Sequence, residues 1–423
     1  MIRILNSSEI ARSEIFERKE AVSGLEGIVA AIIENVKTRG DAALFEYAEK
    51  FDGGLPGGLE VTEEEIDEAF ASVPAELLGV MREAEENIRA FHSKQVRNGF
   101  VMTEKEGVIL GQRVTPIEKV GIYVPGGTAA YPSTVLMNAV PAKIAGCGEI
   151  VMVTPAKAGK VSPAILAAAK IAGVDRIFKV GGAQAVAALA YGTETVPKVM
   201  KIVGPGNSFV AEAKRQVYGL VSIDMIAGPS EILCVADGKS DPAQLAADLL
   251  SQAEHSEAAS AVLVTDSAAL AEAVSAEIER QLATLPRSEI ARASIDGNGK
   301  IIICPDLKAA VDIANEIAPE HLELCVDDPF SWLPLVRNAG SVFMGRYCPE
   351  ALGDYFAGPN HTLPTGGTAK FSSPLGVEDF VKRSQFSYYS KEALNEVAEK
   401  IAIFARAEGL EAHARSAISR GEK

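Results

Sequence analysis

VGIYVPGGTAAYPSTVLMNAVPAKIAGCGEIVMVTPAKAGKVSPAILAAAKIAGVDRIFKVGG, residues 120–182, alternates short β-branched runs with alanine-rich runs of helical length. The pieces VGIYVP, EIVMVTP and RIFKVGG are apolar throughout, so each must be covered on both faces. Continuous apolar strands separated by helices of this size form a parallel sheet sandwiched between helices. The pattern continues through AQAVAALAYG, KVMKIVG, NSFVAEAKRQVYG and SIDMIAG to residue 228. A second alternation follows: EILCVAD, DPAQLAADLLSQAEH, SAVLVTDS, a helix to about 284, KIIICPD, LKAAVDIANEIA, HLELCVDD, PFSWLPLVRNAG and SVFMG. The fold expected is therefore α/β, with two Rossmann-like parallel-sheet units in one chain and no sequence repeat between them.

Outward from this centre, AVSGLEGIVAAIIENVKTRG (21–40) and PAELLGVMREAEENIRAFHSK (74–94) carry apolar residues at helical spacing, the first ending on Gly40. The stretch 107–127 is β-rich with a proline break, and 376–423 reads as a charged helical tail. The expected division is a helical N-terminal segment over 1–27, a discontinuous α/β domain over 28–121 and 232–375, a second Rossmann-like domain over 122–231, and the C-terminal tail over 376–423.

Composition narrows the function. The chain has 423 residues, 48% hydrophobic, and 41 Lys and Arg against 57 Asp and Glu give net −16. Such a balance opposes binding to phosphate backbones and anionic membranes, so neither nucleic acid nor membrane is an expected partner. No apolar run approaches the roughly 18 residues of a membrane span, and the N-terminus lacks the pattern of an export signal; a cytoplasmic location is expected. Cys147, Cys234, Cys304, Cys325 and Cys348 form no C-x-x-C pair, so they are expected to be mostly buried thiols. Of the five histidines, His255, His321, His361 and His413 lie among other polar residues, whereas His92 reads as a surface histidine.

Ligands of open parallel sheets bind beyond the carboxyl ends of the strands, where helix N-termini offer free N–H groups. Glycines cluster at four such ends: Tyr123-Val-Pro-Gly126-Gly127, Gly181-Gly182-Ala-Gln184, Gly204-Pro-Gly206-Asn207 and Gly228-Pro-Ser230. One glycine there can serve backbone geometry alone; four point to a dinucleotide-binding edge. The G-x-G-x-x-G fingerprint is absent, so a nucleotide would bind in a nonstandard way.

In DLLSQAEHSE, Gln252 and His255 are three apart on an expected helix and can face one ion, although polar pairs at helix ends are also commonly solvated. ALGDYFAGPNHTLPTGG adds Asp354 and His361 in a loop, and ARAEGLEAHAR adds Glu408 and His413. Gln252, His255, Asp354 and His413 would together suit a zinc-type ion, but spacing alone does not join them. Adjacent Glu320 and His321 could divide water activation and proton removal between them.

At these residues the sequence resembles the histidinol dehydrogenase family. The matching segments are GIYVPGGTAAYPSTVLMNAVPAKIAGC, VGGAQAVAALAYGTETVP, KIVGPGNSFVAEAKR, DMIAGPSEILCVAD, DLLSQAEHS, APEHLEL, GDYFAGPNHTLPTGGTA and EGLEAHARS, in order over nearly the whole chain. The resemblance implies an NAD-dependent oxidation of L-histidinol with one Zn2+ per subunit. It implies Gln252, His255, Asp354 and His413 as zinc ligands and Glu320 and His321 as the catalytic pair. It further implies substrate contacts from Ser230, Gln252, His255, His321, Asp354, His361, Glu408 and His413, and NAD contacts from Tyr123, Gln184 and Asn207. A homodimer is implied too, with the tail bringing Glu408 and His413 to the partner's site. The alternatives are a zinc and NAD dehydrogenase acting on another small polyol or sulfonated diol, and a non-catalytic two-lobed binding protein, in which Glu320 and His321 would be idle.

Overall fold

The structure is a computed structural model, and it describes residues 1–18, 24–126 and 130–421. The chain divides into two compact units, residues 1–95 with 118–380, and residues 96–117 with 381–423.

The first unit opens with strand β1 (Arg3–Asn6) and the short helix α1 (Arg12–Phe16). Helices α2 (Glu26–Arg39), α3 (Asp41–Asp52), α4 (Glu63–Ser72) and α5 (Ala75–His92) follow. Thr62 and Glu65 form a reciprocal capping box at the start of α4. The alternation then gives β4 (Lys119–Tyr123), α6 (Pro132–Ala145), β5 (Glu149–Thr154), α7 (Pro163–Ala172), β6 (Arg176–Lys179), α8 (Gly182–Tyr191), β7 (Lys201–Val203), α9 (Ser208–Val217) and β8 (Ser222–Ile223), after β2 (Phe100–Met102) and β3 (Val108–Pro116) of the second unit. These strands pair in parallel in the order β6-β5-β4-β7-β8. The order reverses between β4 and β7, the doubly wound arrangement with its switch point there.

The second alternation repeats that order. It comprises β9 (Glu231–Ala236), α10 (Pro242–Ala253), β10 (Ser260–Thr265), α11 (Ala268–Leu282), α12 (Ser288–Asn298), β11 (Lys300–Ile303), α13 (Leu307–Ile317), β12 (His321–Cys325), α14 (Pro329–Trp332), β13 (Ser341–Met344) and α15 (Glu350–Tyr355). The parallel sheet runs β1-β11-β10-β9-β12-β13. Successive residues of β9 face opposite layers: Ile232, Cys234 and Ala236 join a core with α10, α11 and α12, while Leu233 and Val235 join one with α1 and α13. Two covered faces explain why these strands read as unbroken apolar runs.

Three expectations are corrected. The segment 1–27 is not helical throughout, because β1 adds a parallel edge strand beside β11. The helices of 26–92 do not go with the later sheet as the 28–121 boundary supposed: α2 rests on α8 and α9, α4 on α7, and α5 on α6 and α7. The reason is legible afterwards, since α6 and α8 are buried on nearly every side and need a second helical layer outside them. His92 is fully buried, with Nδ1 2.7 Å from Gln95 Oε1; it continues the stripe Leu78, Met81, Ala84 and Ile88 on the inner face of α5. The cysteines follow expectation, with Cys147, Cys234, Cys304 and Cys325 buried and Cys348 half-buried.

In the second unit, β14 (Val381–Tyr389) pairs antiparallel along the whole of β3, and β2 lies on the other side of β3. The tail is thus a strand followed by helices α16 (Lys391–Asn395), α17 (Ala398–Ala407) and α18 (Glu411–Ile418). Helices α17 and α18 pack through Ala402, Ala405 and Ala414.

Candidate active site

Residues 224–230 carry the chain from β8, the last strand of one parallel sheet, to β9, an inner strand of the other. A link this short brings the carboxyl edge of the first sheet to the amino edge of the second. The candidate side chains of this unit lie along those two edges.

On the first edge, Tyr123 ends β4 and its hydroxyl accepts the Gly182 N–H at 3.0 Å. Burial pushes this phenol up to about 12, so it stays protonated and can donate. Gly182 has φ +67°, and a Cβ there would stand 2.7 Å from Oε1 of buried Gln184. Asn207 caps α9, its Oδ1 accepting from the N–H groups of Phe209 and Val210 at 3.1 Å each. Gly204 is held from both sides: its N–H donates to Asp224 Oδ2 at 2.7 Å, and Lys214 Nζ donates to its carbonyl at 3.0 Å. Lys214 and Asp224 are buried and form an ion pair with each other. With φ +108° and the Tyr123 carbonyl where a Cβ would sit, this position admits only glycine. Gly127 lies outside the described residues.

On the second edge, β12 begins at His321, which pairs with Ile232. Glu231, one residue earlier in β9, gives its N–H and its C=O to side chains of β12 and the residue before it. The N–H donates to Glu320 Oε2 at 2.9 Å, and the C=O accepts from His321 Nδ1 at 3.0 Å. Nδ1 bears a proton in this hydrogen bond, which leaves Nε2 as the nitrogen whose protonation state can change. It is buried without a hydrogen-bond partner, 3.4 Å from Asp354 Oδ1. Glu320 is buried, its Oε2 3.7 Å from His321 Nδ1. Burial pushes its carboxyl up to about 8, against the pull of His321 and the Glu231 N–H. Burial lowers His321, but Glu320 and Asp354 outweigh it and carry the imidazole up to about 10. A cation held on Asp354 offsets that carboxylate's charge and moves His321 back toward neutrality.

Beside His321 lies a group of metal-capable side chains. Ligand atoms of His255, Glu350 and Asp354 all fall within 4.8 Å of one another. Glu350 and Asp354 sit one turn apart on α15, and His255 follows the end of α10, beyond the helix that was expected to include it. Gln252, in the last turn of α10, is buried with Oε1 lacking any partner. A buried amide oxygen left unsatisfied is costly, and a cation at this place would satisfy it. Imidazole, carboxylate and amide oxygen form a donor set that fits a zinc-type ion. His361 Nδ1 lies 3.0 Å from the Asp354 carbonyl, which turns its ring on the same loop. Ser230 directly precedes β9. Glu408 and His413 belong to the second unit, at the end of α17 and within α18.

Sequence reasoning missed the buried acids behind this group. Glu350 Oε2 accepts from Ser251 Oγ at 2.8 Å, and the Glu350 N–H donates to Glu323 Oε1 at 2.7 Å. Glu350 precedes Asp354 by one helical turn, a spacing that could have revealed it. Ligand sites were expected at carboxyl strand ends, whereas Glu320 and His321 lie at the amino end of β12.

The model of the histidinol dehydrogenase family matches residues 16–421. Histidinol dehydrogenase of Syntrophotalea carbinolica is 58% identical over 93% of this chain and 92% of its own length. That of Streptococcus mutans is 54% identical over 98% of this chain and 97% of its own. The crystal structure of histidinol dehydrogenase from Elizabethkingia anophelis superposes with a TM-score of 0.93 at 37% identity, covering 99% of this chain and 98% of that one. A match in sequence and in fold from one end to the other makes the assignment plain: the chain belongs to the histidinol dehydrogenase family.

Proposed function

We infer that the chain is an oxidoreductase that converts L-histidinol through L-histidinaldehyde to L-histidine with NAD, the last step of histidine biosynthesis. The observation that carries this reading is the pair Glu320 and His321, buried together and both held by the backbone of Glu231, next to a metal-capable group. The imidazole, held through Nδ1, presents Nε2 to take the hydroxyl proton of histidinol. Once protonated, it places a positive charge close to Glu320, which favours the carboxylate form that burial opposes. As a carboxylate, Glu320 is the base that activates water for addition to the aldehyde.

Gln252, His255 and Asp354 with His413 are the proposed zinc ligands; when bound, zinc fixes the amino and imidazole nitrogens of the substrate. Ser230, His361 and Glu408 complete the proposed substrate contacts. Tyr123, Gln184 and Asn207 are the proposed contacts of NAD, which serves as hydride acceptor. In this reading residues 122–231 form the nucleotide side and 232–375 the metal and catalytic side. His413 and Glu408 come from a partner's tail in a homodimer. The second unit supports such pairing with exposed apolar residues, among them Val101 at 62%, Ile403 at 62% and Phe404 at 70% exposure. No helix among the described residues is long and apolar enough to cross a membrane, and the proposed location is the cytoplasm.

The test is protein stripped by a chelator, reloaded stepwise with zinc, and assayed with NAD against histidinol and a panel of other small alcohols. Histidinol oxidation should return in proportion to zinc and level at one ion per chain, with the other alcohols at least about tenfold slower. Full activity without metal, or preference for an alcohol lacking the imidazole, would contradict the reading.

A further inference from the structure

Glu231 stands apart because its backbone serves both members of the catalytic pair and its carboxylate also accepts from the backbone N–H of one of them, Glu320. That side chain is nearly buried, and burial raises its carboxyl. Its partners come from two distant parts of the chain. Arg18 meets it as a fork, Nε to Oε1 and Nη2 to Oε2, each at 3.2 Å. The N–H of Gly366 also donates to it. Arg18 is fixed in turn, since Nη2 donates to the Ile317 carbonyl at 2.6 Å, in the last turn of α13 just before Glu320. Gly367 has φ +79°, and a Cβ there would strike Arg18 Nη1. The same knot includes Thr365, whose hydroxyl accepts from the Gly228 N–H at 2.6 Å.

We propose that Arg18 and Glu231 are positioning residues of the reaction: their ion pair fixes the first residue of β9, whose N–H and C=O aim Glu320 and His321. The physical case is geometric. The catalytic imidazole and carboxylate hang from one residue at the start of a strand, one position before the first residue registered with β12. The β9–β10 ladder holds that residue on one side, opposite Ser260, and the ion pair of its side chain with Arg18 adds a second hold. A planar guanidinium can bind both carboxylate oxygens at once and resist rotation, which an ammonium cannot. The cavity beside the pair is lined by Arg18, Glu231, Lys300 and Pro319, so a small cation can reach Glu231 when the arginine is shortened.

This inference rests on the proposed oxidation of histidinol, and the experiment separates the two. Wild type, Arg18→Ala and Arg18→Lys are assayed as holoenzyme with histidinol and NAD, with zinc content and melting temperature recorded. Arg18→Ala should keep its metal and lose kcat by about 10–100-fold, the usual cost of removing an outer partner that orients a reacting group. Both KM values should stay within about twofold. Added guanidinium at low, non-denaturing concentration should restore a substantial part of kcat to Arg18→Ala and leave wild type unchanged, and Arg18→Lys should fall between the two. Wild type that fails to oxidise histidinol defeats the functional reading. Wild-type turnover with Arg18→Ala at normal kcat, or with a loss carried by KM, overturns the positioning role alone. A loss that neither guanidinium nor the lysine variant relieves, or an Arg18→Ala protein that does not fold while Arg18→Lys folds at normal kcat, also overturns it.

Discussion

Replacing His321 with Asn is expected to lower kcat for histidinol oxidation by roughly 10²–10⁴-fold, the range over which a positioned general base contributes. The substitution is chosen for what it keeps. An asparagine amide can still donate to the Glu231 carbonyl that now accepts from Nδ1, so the start of β12 has a means of staying in register. What disappears is Nε2, the buried nitrogen without a hydrogen-bond partner. The companion variant, Glu320→Gln, also keeps its contact, because the amide oxygen accepts from the Glu231 N–H as the carboxylate does. It cannot take a proton, so conversion of the aldehyde to the acid should slow by about 10²-fold and alcohol oxidation by much less. Supplying histidinaldehyde directly separates the half-reactions. Equal losses in both for Glu320→Gln would remove water activation from that residue, and an active His321→Asn enzyme would remove His321 from the chemistry.

Activity is expected to reappear when two dead variants are refolded together. His255→Ala removes a proposed ligand of the first unit, and His413→Ala removes one of the tail. If each tail completes the partner's site, a mixed dimer holds one site with both defects and one with none. Random pairing makes half of the dimers mixed, so recovery should approach roughly a quarter of the wild-type rate. If His413 serves its own chain, every site carries a defect. Mixed dimers shown to form but inactive would then place His413 within its own subunit.

The two sheets were legible because burial on both faces leaves an unmistakable mark, unbroken apolar strands such as EIVMVTP and EILCVAD. Strand β1 and strand β14 were not. RILN is too short for a periodic signal, and VKRSQFSYY is exposed along nearly its whole length, so its polar residues read as tail. His92 was misplaced because its neighbours Phe91 and Ser93 are exposed, and only the four-residue step from Ile88 reveals the inner face. In the site, residues with chemistry of their own, His255, Glu320, His321, Asp354 and His361, were singled out by type. Glu231 and Arg18 were not, because their part is played through a peptide group and across more than two hundred positions of sequence. Glu350 needed only its turn of separation from Asp354 to be noticed. The amino edge of the second sheet was unforeseen for a topological reason: the short link 224–230 turns that edge, rather than the carboxyl one, toward the first sheet.

In the proposed function one site carries out both oxidations. The most direct measurement follows NADH by absorbance and histidine by chromatography in the same sample, with histidinol limiting and NAD in excess. Two NADH are expected for each histidine, with no free histidinaldehyde accumulating. One NADH per histidinol consumed, with the aldehyde as the end product, would contradict it.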